Sequence, residues 1–316
     1  MMQSKIAVLV NTQARSKKAF YNWQKFQRDN KNIFSCADIK LVNHNEDFSL
    51  TQNWVMNNLR QGIKKFISVG GDGTLNVLLN LLIKNSQGFI IPLEELTLGA
   101  IGLGSSNDFH KPQSIKQAEF PCRINFENTA LKDIMYCSSL EPENNLRFFI
   151  INASIGITAQ ANHLFNFPPP WLSLIKKTNT NLAILCSGLY TIFSFRNLDI
   201  NLAINKNSTN SLLLTNLAAV KNRHFAGFFR YDQGAESHND YFMLHLCKNM
   251  RMHESVRTLL NLACGRFTGL DKTQSLLTKN ISLTSDRFFC VELDGEVIRS
   301  RHCEIGVHHQ KIRLCL

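Results

Sequence analysis

The chain has 316 residues, of which 44% are hydrophobic, so it is long enough to bury a sizeable core in about two domains. It contains 35 basic and 24 acidic residues, which gives a formal charge of +11. This charge favours an anionic partner, such as an anionic membrane surface or a phosphorylated substrate. No basic stripe with interleaved aromatic residues is present, which argues against nucleic acid as a partner.

The nine cysteines are odd in number and contain no Cys-x-x-Cys spacing, and the first residues lack the apolar stretch of a signal peptide. These features predict a reduced, cytoplasmic protein with free thiols. No segment reaches the ~18–20 apolar residues that a membrane-spanning helix needs. The nearest is 182–195, which we expect to be a core helix, with an interfacial helix as the alternative.

The first part of the chain predicts alternating strands and helices. The predicted strands are 5–11, 38–42, 65–69 and 97–101, and the predicted helices are 17–30, 51–60 and 74–84. Such alternation favours a parallel sheet with helices on both faces. Ligands of such sheets bind beyond the carboxyl ends of the strands, which here lead into loops at 11–17, 70–74 and 102–108.

From about residue 120 the pattern changes to strands with few helices. The predicted strands are 133–140, 147–154, 199–205, 212–220, 241–247, 280–284 and 288–293, with helical stretches near 170–195 and 253–266. This pattern predicts a second domain that is mostly antiparallel β-structure.

The most informative stretch is 66–76, where a β-branched run ends in three glycines around Asp72. Gly70, Gly71 and Gly73 can take positive φ and let backbone N–H groups approach a ligand. The helix that follows directs its positive end at the turn, which makes an anion site. We interpret Asp72 as the partner of Mg²⁺ or of nucleotide phosphates, with a simple helix cap as the alternative.

A second glycine loop, at 102–109, follows the fourth predicted strand. Ser105 and Ser106 can donate hydrogen bonds to phosphate, and Asn107 can bind a ribose or a base edge. Asp108 can join Asp72 in holding a cation. The alternative is an ordinary polar turn, since these residue types are common in turns.

Near the C-terminus, Asp294-Gly295 stands between two apolar runs, a pattern that predicts a β-hairpin turn. The functional interpretation is that the hairpin presents Asp294 and Glu296 to a cleft. A carboxylate there can take a proton from an attacking hydroxyl.

These motifs resemble those of the diacylglycerol kinase catalytic-domain family, in its bacterial soluble lipid-kinase branch, which also includes sphingosine and ceramide kinases. The resemblance covers nearly the whole chain, because five motifs occur in family order. They lie at 8–18, 70–74, 102–109, 149–156 and 294–296.

The resemblance implies an α/β plus β fold, with a Rossmann-like nucleotide domain at 1–125 and an antiparallel β-sandwich domain at 126–316. It places the active site in the cleft between them, and roughly the last 15 residues back on the first domain. The implied activity is Mg²⁺-dependent transfer of the ATP γ-phosphate to a lipid hydroxyl, with peripheral contact to an anionic membrane surface. For Trp171, Leu172 and 182–195 core packing is the favoured interpretation, and a lipid-entry face is the alternative.

The resemblance also assigns roles to residues. The nucleotide positions are Asn11, Gly70, Gly71, Gly73, Thr74, Gly104, Ser105 and Asn107. The metal positions are Asp72, Asp108 and Asp240. Glu296 is the implied general base, supported by Asp72 and Asp294.

Several residues depart from the family pattern. Thr12 replaces a proline, Val77 replaces a glutamate, and Ala14, Arg15 and Ser16 replace glycines. Tyr241 follows Asp240 where the family has glycine, which puts a structural magnesium there in doubt. Because Asp72, Asp108 and Glu296 are present, we expect an active enzyme. The alternatives are a soluble NAD kinase-like enzyme, and a degenerate protein that binds nucleotide or lipid without catalysis.

Overall fold

The computed structural model describes residues 5–14, 18–43, 48–89, 91–112, 116–117, 120–139, 145–207 and 209–316. The chain divides into two compact units. The first comprises residues 1–134 together with 309–316, and the second comprises residues 135–308. The boundary expected from the sequence lies near residue 125, and the C-terminal residues group with the first unit.

The first unit alternates strands and helices. Its strands are β1 (Ile6–Asn11), β2 (Asp38–Val42), β3 (Lys65–Gly70), β4 (Thr97–Gly102), β5 (Lys116–Gln117) and β6 (Phe120–Arg123). Its helices are α1 (Lys18–Asp29), α2 (Lys31–Phe34), α3 (Phe48–Arg60) and α4 (Asp72–Phe89), with short 3-10 turns at Leu93–Glu95 and Asp108–His110.

Four of these strands form a parallel sheet in the order β2, β1, β3, β4. The middle strands are buried along nearly their whole length, as expected for parallel strands covered on both faces. The predicted alternation of strands and helices is therefore confirmed. Helix α4 begins at Asp72, two residues earlier than predicted, so Asp72 lies in its first turn.

The remaining elements belong mainly to the second unit. Its strands are β7 (Thr129–Ser139), β8 (Asn145–Phe149), β9 (Asn152–Gly156), β10 (Leu198–Ile204), β11 (Asn210–Val220), β12 (His224–Phe225), β13 (Phe229–Arg230), β14 (Phe242–Lys248), β15 (Thr273–Thr278), β16 (Asn280–Leu293) and β17 (Glu296–Cys315). Its helices are α5 (Ile157–Asn166), α6 (Pro170–Thr178), α7 (Thr180–Ser194) and α8 (Met252–Ala263). Two strands, β7 and β17, begin in one unit and end in the other.

The strands of the second unit are paired antiparallel, as predicted. The order β15, β14, β11, β10, β16, β17 is antiparallel throughout, and β9 pairs with both β11 and β16. A core of aliphatic and aromatic side chains, including Phe149, Phe242 and Val291, fills this unit. No helix in the described part of the chain is long and apolar enough to cross a membrane.

Four element predictions for the second unit were wrong in detail. The predicted strand 147–154 is two strands, β8 and β9, with a bend between them. The predicted strands 280–284 and 288–293 are one strand, β16, and the predicted helical stretch 170–195 is two helices, α6 and α7. Helix α5 was not predicted at all.

Candidate active site

In the first unit, Asp72 joins the two predicted phosphate loops. Its carboxylate accepts backbone N–H bonds from Asp108 at 3.0 Å and from Phe109 at 3.1 Å. One bond ends on each carboxylate oxygen, and the side chain is partly exposed. An ionised carboxylate offers about four acceptor sites, and a partly exposed one is accessible to a ligand. The predicted cap interpretation therefore misses the main contact, which is with the other loop.

The two loops also touch through their backbones. The N–H groups of Leu103 and Gly104 donate to the carbonyl oxygen of Gly70 at 2.7 and 3.1 Å. A Cβ on Gly104 would lie 2.4 Å from the Cα of Gly71, closer than real Cβ contacts allow. The positive φ expected for Gly70, Gly71 and Gly73 is not observed at any of the three. Glycine is required at 104 because the loops pack directly on one another.

The carboxyl end of β1 is tied to the same helix start. Asn11 donates from Nδ2 to the Thr74 hydroxyl at 3.1 Å. The N–H groups of Thr74 and Leu75 donate to the Gly71 carbonyl, which closes the first turn of α4. The structure thus brings together the predicted residues Asn11, Gly71, Asp72 and Thr74 at the positive end of an 18-residue helix. Arg15 and Ser16 lie outside the described residues.

Asn107 shapes the second loop from within. It takes a left-handed backbone conformation, with φ of 51°. Its Oδ1 accepts from Gly104 N at 2.9 Å, and its Nδ2 donates to the carbonyls of Gly104 and Gly102 at 3.1 and 3.3 Å. The amide predicted to bind a ribose or base edge is therefore largely used by the loop itself. Ser105 and Ser106 lie between these contacts and are partly exposed, where a hydroxyl can donate to an anion.

Asp108 already has a protein cation beside it. The side chain is buried, and its Oδ1 accepts a hydrogen bond from Lys111 Nζ at 2.7 Å. Among the described residues, no group of three or more His, Cys, Asp or Glu side chains is arranged to hold a metal ion. Mg²⁺ bound with a nucleotide needs only one or two carboxylates, because phosphate oxygens and water complete its shell. Asp72 fits that role better than Asp108.

The sequence analysis missed His110, which ends this loop. Burial, together with the nearby positive charge of Arg123, lowers the pKa of His110 to about 3. The imidazole is therefore neutral at physiological pH. Its Nδ1 is buried and has no hydrogen-bond partner within the described part of the chain. Together with Gly71, Asp72 and Asn107, it lines a small recess beneath the loops.

In the second unit, Asp294-Gly295 forms the predicted hairpin turn. Strands β16 and β17 pair up to Leu293 and Glu296, leaving a two-residue turn. Both turn residues have positive φ, 47° for Asp294 and 98° for Gly295, which defines a type I′ turn. The hairpin prediction is confirmed.

The Asp294 carboxylate is buried and accepts three backbone hydrogen bonds. Its donors are the N–H groups of Ile150, Ile151 and Asn152, at 2.9, 3.0 and 2.9 Å. These residues form the bend between β8 and β9, so the carboxylate holds that bend against the hairpin. Asp294 is thus placed to position its neighbours, and its buried carboxylate is poorly placed to meet a substrate directly.

Three further residues fix the turn, and none was singled out from the sequence. Glu292 accepts from Gly295 N at 2.7 Å and from the Ser154 hydroxyl at 2.8 Å. Asn162 and Asn166 of α5 donate to the Gly295 carbonyl at 3.2 and 3.0 Å. The i, i+4 spacing of the two asparagines places them on one helix face, which was the available signal.

Glu296 is the first residue of β17 and is exposed. Its backbone follows a turn that is held on both sides by buried hydrogen bonds. The chain therefore positions the Glu296 main chain firmly and leaves its carboxylate open to solvent.

Comparison with known proteins assigns the first part of the chain to a family. Residues 5–132 match the profile of the diacylglycerol kinase catalytic domain. This part of the chain belongs to the diacylglycerol kinase catalytic-domain family. No curated protein matches the chain.

Solved structures show the fold of the whole chain. A candidate diacylglycerol kinase from Bacillus anthracis str. Sterne matches with a TM-score of 0.68 and 15% identity, covering 100% of this chain and 98% of that one. A diacylglycerol kinase structure from the same organism matches with a TM-score of 0.65 and 14% identity, covering 100% and 97%. At these identities the likeness concerns the fold alone.

Two departures from the diacylglycerol kinase pattern have a structural account. Thr12, which replaces the family proline, donates both its N–H and its hydroxyl to the Val42 carbonyl, at 3.0 and 3.1 Å. A proline lacks both donors. Thr12 therefore ties the phosphate loop after β1 to the end of β2.

The second departure concerns the predicted metal position at Asp240. Asp240 is exposed, with φ of 62°, in the turn before β14. The buried Lys221 ammonium donates to the carbonyls on either side of this turn, at His238 (2.7 Å) and Tyr241 (2.9 Å). The protein thus supplies a cation here itself, and these residues fit a metal ion poorly.

Proposed function

We propose that this protein is an ATP-dependent lipid kinase that transfers the γ-phosphate to a lipid hydroxyl of diacylglycerol or sphingoid type. The observation that carries the proposal is the joined pair of glycine loops at the N-terminus of α4, with Asp72 between them. It lies within the residues that belong to the diacylglycerol kinase catalytic-domain family.

ATP is the phosphoryl donor in this proposal. Backbone N–H groups of the 70–74 and 104–107 loops and the positive end of α4 favour its phosphates. Asn11, Thr74 and Ser105 stand at the edges of the same site and can add side-chain hydrogen bonds. Asp72 would hold Mg²⁺ together with ATP oxygens, and the ion would neutralise charge on the transferred group.

On the acceptor side, Glu296 is the proposed general base. Transfer requires the lipid hydroxyl to lie within about 3 Å of this carboxylate and in line with the γ-phosphate. The lipid oxygen bonds to the γ-phosphorus as the bond between the γ-phosphorus and the bridging oxygen of ADP breaks. Glu296 receives the hydroxyl proton. Asp294, Glu292 and Asn166 keep the turn rigid so that the Glu296 carboxylate needs little reorganisation.

The proposal includes peripheral contact with an anionic membrane surface, where such an acceptor resides. The formal charge of +11 supports this part. Basic residues near an anionic surface each contribute roughly 1 kcal/mol to binding at low screening. Nucleic acid is not among the proposed partners.

The test is transfer of radiolabelled γ-phosphate from ATP into a mixed-micelle panel of diacylglycerol, sphingoid base, ceramide and phosphatidylglycerol, with NAD included. Glu296→Gln runs beside wild type, and Glu127→Gln is the matched control, because Glu127 is also exposed but lies in a turn of the first unit. We expect one labelled lipid, with turnover lowered ~10²–10⁴-fold by Glu296→Gln and unchanged by Glu127→Gln.

Other outcomes separate the alternatives. Labelling of NAD and of no lipid would assign an NAD kinase-like activity. ATP binding without any labelled acceptor would assign the degenerate binding role. A labelled lipid with equal rates for wild type and Glu296→Gln would keep the kinase and remove Glu296 as its base.

A further inference from the structure

Helices α5, α6 and α7 carry an exposed apolar surface, which we call the apolar face. It consists of Phe167, Trp171, Leu174, Leu182, Tyr190 and Phe193. We propose that the apolar face docks on a bilayer surface that contains anionic lipid. The inference rests on the proposed function in one respect, since it supplies the route to a membrane-resident acceptor.

Helix α7 has an inverted distribution of side chains. The large apolar residues Leu182, Tyr190 and Phe193 are exposed, Phe193 to 66%. The buried positions are mostly small, at Ala183, Ser187 and Thr191. A helix that packs in a soluble core normally buries its large apolar residues and exposes its small polar ones. The predicted core helix is therefore only half right, because α7 packs on the protein through its small side.

The buried hydroxyls of α7 need no partners from other elements. Ser187 donates to the Ile184 carbonyl at 2.9 Å, and Thr191 donates to the Ser187 carbonyl at 2.8 Å. Polar groups are thus satisfied within the helix on its protein side. Helix α7 contains no charged residue, even on the side that faces solvent.

Helix α6 extends the apolar face and fixes it. The Trp171 and Tyr190 rings contact each other at 5.6 Å between centroids, joining α6 to α7. Leu174 lies one turn beyond Trp171 and is 68% exposed. Leu172 is fully buried and anchors α6, as the core-packing interpretation predicts for this residue. Trp and Tyr at an apolar edge are typical of membrane interfaces.

The charge of the segment that carries the apolar face indicates which partner it binds. Residues 145–198 contain Arg147, Lys176, Lys177 and Arg196 but no Asp or Glu. With 24 acids in 316 residues, about four would be expected in a stretch of this length. Lys177 and Arg196 are exposed at the ends of α6 and α7. An apolar surface on a segment whose charged residues are all cations matches an anionic bilayer.

A second copy of the chain fits less well. Two apolar faces brought together would oppose Lys177 and Arg196 of each copy, with no acid in 145–198 to compensate. Like charges at an interface disfavour association. Self-association through this surface is therefore an outcome that the test must be able to detect.

The experiment measures binding to phosphatidylcholine vesicles with and without phosphatidylglycerol, by sedimentation and by Trp171 fluorescence. Trp171 is exposed, whereas Trp23 is buried and Trp54 is half-buried, so a blue shift on binding that Trp171→Phe abolishes reports on the apolar face. We expect wild type to bind the anionic vesicles, and Trp171→Ser/Leu174→Ser/Phe193→Ser to bind about tenfold or more weakly. Lys177→Glu/Arg196→Glu should weaken binding to the anionic vesicles selectively.

The matched control removes similar exposed apolar area elsewhere in the second unit. Leu213→Ser/Phe228→Ser/Leu260→Ser changes side chains that are 43%, 42% and 65% exposed. We expect this variant to bind vesicles as wild type does. Equal weakening in both triple variants would overturn the proposal, because the effect would then reflect general hydrophobicity. Loss of self-association without loss of vesicle binding would assign the face to a second copy.

A soluble acceptor, monomeric dihexanoylglycerol, allows membrane docking and kinase activity to be tested separately. If both hold, the apolar-face variant loses activity on vesicles and keeps activity on the soluble acceptor. Vesicle binding through the face with no phosphorylation of any acceptor would leave the docking surface standing and remove the kinase. Phosphorylation of vesicle lipid at the wild-type rate by the apolar-face variant would support the kinase and overturn the docking proposal.

Discussion

Two turns, one in each unit, contain an aspartate in a similar sequence pattern, but the two carboxylates have different surroundings. Asp72 and Asp294 both follow an apolar strand, both precede a glycine and both accept backbone N–H bonds from a distant segment. Asp72 accepts two such bonds and is partly exposed at a helix N-terminus. Asp294 accepts three and is buried.

The difference shows how to distinguish a carboxylate that stabilises the fold from one that takes part in binding or catalysis. Each backbone N–H takes up one acceptor site of the carboxylate, and burial removes access to the rest. Asp72 is partly exposed, so a ligand can reach it. Asp294 is buried, and the exposed carboxylate two residues later, Glu296, is the one that a substrate can reach. Substitutions that separate stability from activity test this division.

The largest effect is expected for Asp294→Ala, which leaves three buried N–H groups of the 150–152 bend without their acceptor. We expect the free energy of unfolding to fall by about 3–5 kcal/mol, in the range for breaking a buried charged network. Urea unfolding followed by circular dichroism measures it. An Asp294→Asn protein with wild-type stability and no activity would contradict the division and restore Asp294 to the chemistry.

Asp72→Asn should lower activity much more than it lowers stability. The amide keeps one acceptor oxygen for the loop N–H groups but loses the charge that would hold Mg²⁺. We expect stability to fall by only about 1 kcal/mol and ATP-dependent transfer to fall roughly 10²–10³-fold. Unfolding curves and kcat/KM for ATP give the two numbers. Global unfolding of Asp72→Asn would make Asp72 a structural residue like Asp294.

Local patterns predicted the elements on which both turns lie. The strand β3 could be predicted because the β-branched residues Ile67 and Val69 stand just before a glycine turn. The Asp294-Gly295 turn could be predicted because few residues other than Asn, Asp and Gly tolerate positive φ. The contacts of the two carboxylates could not be predicted. Asp294 bonds to residues more than 140 positions earlier, and only the folded chain shows which N–H groups a bend leaves open.

The apolar run 182–195 is a second case in which the sequence predicts an element but not its contacts. Its composition predicts a buried helix, but composition does not say which side of the helix the protein covers. Small residues at 183, 187 and 191 follow helical spacing and give close approach on one side. That spacing was visible in the sequence, yet its meaning depends on α5 and α6, whose packing the sequence did not reveal.

A third acid, Asp240, extends the comparison, because a buried lysine bonds to the carbonyls of its turn. Lys221→Met keeps the side-chain stem but removes the donor to the carbonyls of His238 and Tyr241. We expect a loss of about 2–3 kcal/mol in the free energy of unfolding. A chelator should leave the wild-type midpoint unchanged. A midpoint lowered by the chelator and restored by Mg²⁺ would place a structural metal at Asp240 after all.

The smallest effect concerns pH and the loop beside Asp72. Burial lowers the pKa of His110 to about 3, whereas the unfolded chain has an ordinary value near 6.5. Between these values the unfolded state binds a proton that the folded state does not, so stability falls as pH falls. The slope contributed by one such histidine is at most about 1.4 kcal/mol per pH unit.

His245, in the second unit, provides the internal comparison. Burial lowers its pKa to about 4, and its two ring nitrogens lie at hydrogen-bond distance from the Ser275 hydroxyl and the Gln233 carbonyl. His110→Phe should flatten the pH dependence of unfolding between pH 6 and pH 4 by about one proton. His245→Phe should do the same but at a larger cost at pH 7, because it also loses two hydrogen bonds. An unchanged slope in His110→Phe would mean that His110 is protonated in the folded loop, where a positive charge beside Asp72 would itself favour an anion.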